Sequence, residues 1–158
     1  TLARAVVLPN NTLELGGVMR GPFDEAAPCQ LVFGIDRGAG ASLGPLFASR
    51  PKLTPDALVT INIGPYGQNN SATVTDLKTG VVTPLDPSTI QVNGAVARVF
   101  VPLGTLPSTG AKVASYKFAM WTRSSPDGGI ENVGSFLPDA QGSMVPVGIL
   151  NPTPPRRR

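Results

Sequence analysis

There is no histidine among the 158 residues. That absence removes the usual general base, a common metal ligand and the middle member of Ser-His-Asp and Cys-His arrangements. Most hydrolytic mechanisms go with it, and the chain is read as not an enzyme. The chain has one cysteine, Cys29, so an intrachain disulfide is impossible, and the residue reads as a small buried strand side chain. Charge is sparse at 15% of residues, with 13 Lys and Arg against 10 Asp and Glu. The excess of +3 is carried by Arg156, Arg157 and Arg158, which leaves a neutral body. A neutral body is the wrong surface for a phosphate backbone, which argues against nucleic acid as a partner except through that arginine tail. No apolar run approaches the roughly 18 residues of a membrane span. Repeats of about 20 to 50 residues are absent too, which removes solenoids and propellers.

What the chain has in quantity is turn residues, 18 glycines and 17 prolines, spread between short apolar stretches of period two. That pattern nearly excludes helix and predicts an all-β fold, an antiparallel two-sheet β-sandwich of jelly-roll or immunoglobulin-like proportions. Strands are expected near Arg4 to Leu8, Thr12 to Met19, Cys29 to Asp36, Ala57 to Ile63, Ser71 to Asp76 and Val81 to Leu85. Others follow near Thr89 to Val92, Ala95 to Val101, Tyr116 to Arg123, Asn132 to Phe136 and Val145 to Leu150. Residues 1–150 are expected to form one sandwich domain, and 151–158, opening Asn151-Pro152-Thr153-Pro154-Pro155, an extended tail or linker. A start at Thr1 rather than Met suits a processed protein or a module of a longer one.

Two hairpins are written most clearly. Asn93-Gly94 suits the two positive-φ positions of a type I′ turn, with Val92 opposite Ala95 and Ile90 opposite Ala97. Thr75 to Val81 suits a three-residue loop closed by Gly80 in the left-handed conformation. The segment from Gly38 to Asp56 has no period, is rich in glycine and proline, and is the main candidate for a functional loop.

Chemistry-bearing motifs are few. Gly40-Ala41-Ser42-Leu43-Gly44 matches G-x-S-x-G, but a nucleophile elbow needs a strand-to-helix turn and a histidine, so this is an ordinary glycine-rich loop. Ser49-Arg50-Pro51-Lys52 matches S-x-x-K in spacing, with Pro51 where a helical turn should be. Asp36, Asp127, Glu131 and Asp139 could supply a carboxylate pair or oxygen ligands for Ca²⁺, and are read first as turn and cap residues. Asp36 is the metal candidate, and Ca²⁺ the only cofactor considered. Alternation puts Lys117, Ala119, Trp121 and Arg123 on one face of their strand. Trp121 is then either an exposed ring for a sugar face, flanked by cations, or a core residue with Lys117 and Arg123 snorkelling outward, the preferred placement. Tyr66, in Gly64-Pro65-Tyr66-Gly67, is an exposed loop ring. Candidate ligand-binding residues are therefore Trp121, Lys117, Arg123 and Tyr66. Asn10-Asn11-Thr12 and Asn69-Asn70-Ser71 fit the glycosylation pattern and mark exposed turns.

The run Ser71 to Leu77, then Val99-Phe100-Val101-Pro102-Leu103, then Tyr116 to Arg123, then Gly134-Ser135-Phe136-Leu137-Pro138-Asp139 resembles bacterial secreted modules of the DOMON-like and family 9 carbohydrate-binding-module-like sandwiches. Phe33-Gly34-Ile35-Asp36 parallels their early strand ending in an acidic turn. The resemblance covers about Cys29 to Val147 and implies a sandwich fold and sugar binding. It departs from the family where Asp36 leads into Arg37-Gly38-Ala39-Gly40 instead of a second acid and a Thr-Gly turn. A DOMON-type haem site, which uses Met and His, is excluded by the missing histidine.

The expectation is an extracellular or cell-surface, non-catalytic module with a structural, assembly or adhesion role. A carbohydrate-binding module is the alternative, and a virus-like coat or filament subunit a second. Expected partners are glycans or other surface-protein subunits, including further copies of the chain.

Overall fold

A computed structural model of the chain describes residues 2–23, 26–124 and 133–150. Its strands are β1 (Leu2–Leu8), β2 (Thr12–Val18), β3 (Cys29–Asp36), β4 (Ala57–Ile63), β5 (Ser71–Asp76) and β6 (Val82–Pro84). They continue with β7 (Ile90–Asn93), β8 (Val96–Pro102), β9 (Lys117–Arg123), β10 (Val133–Leu137), β11 (Val145–Pro146) and β12 (Gly148–Ile149), and one helical turn, α1 (Gly40–Leu43), follows β3. One sheet runs β12-β1-β2-β8-β7; the other runs β10-β9-β3-β4-β5-β6, with β11 also on β9. The β1–β12 pair is parallel and the other pairs are antiparallel. The protein is a two-sheet, mostly antiparallel β-sandwich.

Period two decides which side chains meet between the sheets. Ala57, Val59, Ile61 and Ile63 of β4 are buried while Leu58, Thr60 and Asn62 are not. From the facing sheet come Ala5, Leu13, Leu15, Ala97, Val99 and Val101. Each large side chain removed from water there is worth about 1.5 to 3 kcal/mol.

The seven-stranded sheet is buried on its outer face as well where β3, β9 and β10 run. Val32, Ala119 and Trp121 point away from the main core and pack with Leu53 and Phe136 in a second, smaller cluster, with Leu46, Phe47 and Met144 at its margin. This explains the unbroken apolar run Leu31-Val32-Phe33-Gly34-Ile35, which has no polar face because neither side meets water. Gly34 carries no side chain because a Cβ there would lie 3.0 Å from Trp121 Cζ3 and 3.2 Å from Pro55 Cβ. The Gly38 to Asp56 segment, expected to be a functional loop, provides this cover.

The β7–β8 hairpin differs from the expected register. Asn93 pairs with Val96, Val92 with Ala97 and Ile90 with Val99, so the connecting pair is Gly94-Ala95. Gly94 alone takes a positive φ, 56°, the pattern of a type II′ turn and not type I′. The physical reason is tertiary: Phe23 N–H donates to Gly94 O and Met19 N–H to Ala95 O, tying the turn to the chain leaving β2. Each partner moves by two residues, so Ile90, Val92, Ala97, Val99 and Val101 stay on one face. The β5–β6 connection matches its expected form. Gly80 has φ 73°, its N–H donates to Asp76 O, and Asp76 N–H donates to Val81 O, a G1 bulge.

The two turn types make opposite demands on Asn93. Asn93→Ala should leave stability within about 0.5 kcal/mol of the parent. Gly94→Ala should cost about 1 to 2 kcal/mol, because it forces an L side chain into the left-handed region. Urea midpoints of the two variants check this, and a larger loss for Asn93→Ala would restore the type I′ register.

Candidate functional site

Among the described residues, the densest polar arrangement sits where β3 and β5 end and β4 begins. Arg37 follows directly on β3, Asp56 precedes β4 and Asp76 closes β5, so sheet pairing itself carries the three to one corner. Arg37 and Asp56 are 1% and 0% exposed. Arg37 Nε donates to Asp56 Oδ1 at 2.7 Å, and one terminal nitrogen donates to Asp76 Oδ2 at 2.8 Å and Asp56 O at 3.2 Å. The other terminal nitrogen reaches Pro107 O at 3.1 Å. Asp56 Oδ2 accepts from Arg37 N–H, Ala39 N–H and the Thr109 hydroxyl. Thr109 N–H and Ala111 N–H both donate to Arg37 O, so the 107–111 loop is sewn to the same point. Beside it, Tyr116 is buried and donates its hydroxyl to Leu106 O at 2.9 Å, and burial pushes its pKa up.

A buried ion pair is stable only when its remaining donors and acceptors are matched, and here they are. Burial by itself lowers the Arg37 pKa; the bonds to Asp56 and Asp76 outweigh it and leave the guanidinium raised above its ordinary value. The Asp76 carboxyl is held down to about 2, first by Arg37 and then by Thr79 N–H. The corner is fully engaged within itself.

The expected ligand-binding residues do not converge. Trp121 is 1% exposed in the second core, the preferred of its two placements, and its alternative as an open sugar platform is corrected: Phe47, Phe136 and Leu53 pack against the ring. Lys117 and Arg123 lie at opposite ends of β9, about 20 Å apart by strand rise, so they cannot flank one small ligand. Lys117 is exposed and pairs in register with Asp36, whereas Arg123 is half-buried and pairs with Gln30. Tyr66 is 63% exposed, on the β4–β5 connection near the Arg123 end. Asp36 engages Oδ1 with Gly38 N–H at 2.9 Å and Gly40 N–H at 3.1 Å, a turn ligand. Asp127 and Glu131 lie outside the described residues, as does the Arg156 to Arg158 tail. Among the described residues, no three of His, Cys, Asp and Glu gather into a group that could hold a metal ion.

The other acidic residues have local duties. Asp86 accepts from Ser88 N–H and Asp139 from Gln141 and Ser143 N–H, and these bonds lower both carboxyl pKa values, with Ser88 and Ser143 the largest causes. Glu14 lies between Arg4 and Arg98 on the outer face of the five-stranded sheet, 3.8 and 3.9 Å away. The G-x-S-x-G stretch does turn from strand into helix, contrary to expectation, but α1 is a single turn and Ser42 Oγ donates to Ala39 O at 2.7 Å. Among the described residues, no helix is long and apolar enough to cross a membrane. No family model matches the chain, and no curated protein matches it.

Arg37, Asp56 and Thr109 escaped sequence reasoning because they are separated by 19 and 53 residues. The one signal was a charged Asp36-Arg37 step at the end of an otherwise apolar strand.

Removing Arg37 strands Asp56 without its counter-charge, so Arg37→Met should cost about 3 to 5 kcal/mol in urea unfolding. The folded pKa of Asp76, about 2, lies below the ordinary 3.8. Its stabilisation is therefore complete above about pH 4 and is lost as pH falls toward 2, worth about 1 to 2 kcal/mol with allowance for its partly exposed edge. Acid titration of stability should show this loss, and Asp76→Asn should flatten it.

Proposed function

We propose that the chain is a non-catalytic β-sandwich module of an extracellular or cell-surface protein, with a structural or adhesive role. The supporting observation is where its carboxylates are committed. Asp36, Asp56, Asp76, Asp86 and Asp139 all accept backbone N–H bonds, and Glu14 sits between two arginines. A carboxyl group that acts as general acid or nucleophile must face a cleft, and in each of these six the oxygens stabilise a turn, a corner or a sheet face. Among the described residues, the carboxylates serve the shape of the sandwich.

The sugar-binding reading draws support from Tyr66. Its backbone is in the left-handed region, φ 56° and ψ 27°, a conformation a bulky residue adopts only when its surroundings impose it. They do so here. Gly64 N–H donates to Asn70 Oδ1, Asn70 Nδ2 to Gly67 O and Gly67 N–H to Gly64 O, a closed loop that presents the ring outward beside exposed Gln68 and Asn69. An aromatic face with amide groups beside it suits the C–H face and hydroxyls of a sugar. Kinship with the secreted sandwiches named above would fit both readings.

Two measurements separate the readings. The purified protein should turn over no ester, glycoside or phosphoester substrate, and turnover abolished by Asp36→Ala with the fold intact would overturn the non-catalytic role. Pull-down on insoluble polysaccharides and a glycan array test the sugar reading: binding should fall at least tenfold in Tyr66→Ala. Silence on both, or binding indifferent to that substitution, would remove it.

A further inference from the structure

We propose that residues 44–53 form a hinged Ω-shaped lid over Trp121, able to open while the sandwich stays folded. The chain from Gly40 to Thr54 leaves and returns to one point: a Cβ on Gly40 would lie 1.8 Å from Thr54 O, so only glycine allows the neck to close. The neck is fixed by the corner described above, through Ala39 N–H on Asp56 Oδ2 and Asp56 N–H on Ile35 O. Beyond it the loop is bonded to itself. Leu46 N–H donates to Leu53 O, Leu53 N–H to Arg50 O and Arg50 N–H to Phe47 O. Among the described residues, no hydrogen bond joins 45–53 to either sheet. Gly44, with φ 81° and open space around its Cα, supplies a joint at the start of the moving part.

Side-chain contact alone holds the lid down. Phe47 meets Trp121 edge to face with centroids 6.1 Å apart and Phe136 at 6.2 Å, Leu53 is buried between them, and the Arg50 guanidinium lies 5.0 Å over the Phe136 ring. Against this attraction stand two buried donors without a partner, Trp121 Nε1 and Arg50 Nε. Their side chains meet partners across the contact of lid and sheet, Trp121 with Phe47 and Arg50 with Phe136, and on this proposal opening the lid returns both donors to water. Closure therefore gains apolar contact and loses hydration of two polar groups. A segment so balanced, with its backbone bonds internal, is the kind that opens locally below the cost of global unfolding. An open lid would uncover the Trp121 and Phe136 rings together.

Hydrogen exchange on the intact protein tests this. The amides of Leu46, Arg50 and Leu53 should exchange as one group, on the order of 100-fold faster than amides in β3 and β9, and with little dependence on low denaturant. Exchange of these amides only together with the sheets would overturn the lid. Trp121 is the only tryptophan, so growth with β-(3-benzothienyl)alanine replaces its N–H with sulfur at nearly constant shape. Lid exchange should then slow on the order of tenfold, since one of the two strandings is gone. Unchanged or faster exchange would refute the balance argued here. Phe47→Ala should raise acrylamide quenching of Trp121 fluorescence several-fold with the far-UV spectrum unchanged. If quenching rises only when the fold is lost, the lid is no separate unit, and the wild-type exchange pattern decides the matter should the variant fail to fold.

Discussion

One buried guanidinium fixes the corner of this sandwich where β3, β4 and β5 meet. Arg37 carries its charge at 1% exposure, a burial that is tolerable only with partners around it, and these come from three places in the chain: Asp56 before β4, through both its carboxylate and its carbonyl, Asp76 at the end of β5, and Pro107 in a distant loop. Each partner is held by further bonds, Asp56 by two backbone N–H groups and Thr109, Asp76 by the turn it begins. Such a charge is intolerant of half measures. With all of its partners it defines a unique corner, and with one missing it becomes a liability of several kcal/mol.

From that corner the asymmetry of the two sheets follows. The 38–56 segment leaves and re-enters the fold at the ion pair, so its path is set to lie across the outer face of the seven-stranded sheet. There it gives Trp121 and Val32 an apolar neighbour they would otherwise lack. Among the described residues the five-stranded sheet has no equivalent cover; its outer face carries Arg4, Glu14 and Arg98, with Leu2 and Val18 exposed at one end. The β10-β9-β3 part of one sheet is therefore covered on both faces, while the described outer face of the other sheet meets water.

The same packing explains why functional readings built on strand β9 separate. Alternation along β9 correctly puts Lys117, Trp121 and Arg123 on one face, but what stands over that face is decided by residues some 70 positions earlier. Phe47 and Leu53 turn a candidate platform into a core. Tyr66 is the contrasting case, where local loop geometry is enough to display a ring, and it stays exposed.

Sequence by itself determined the class of fold and nearly every strand. Cys29–Asp36, Ala57–Ile63 and Ser71–Asp76 begin and end where period two and the flanking glycines and prolines place them, because alternation and turn chemistry are properties of neighbouring residues. The Gly80 bulge was legible for the same reason. Tertiary structure alone decided the Gly94-Ala95 register, the assembly of Arg37 with Asp56, Asp76 and Thr109, and which residues cover Trp121. Each of these depends on which surfaces meet across the sandwich, and a turn, an ion pair or a ring face has no fixed meaning until its distant neighbours are in place.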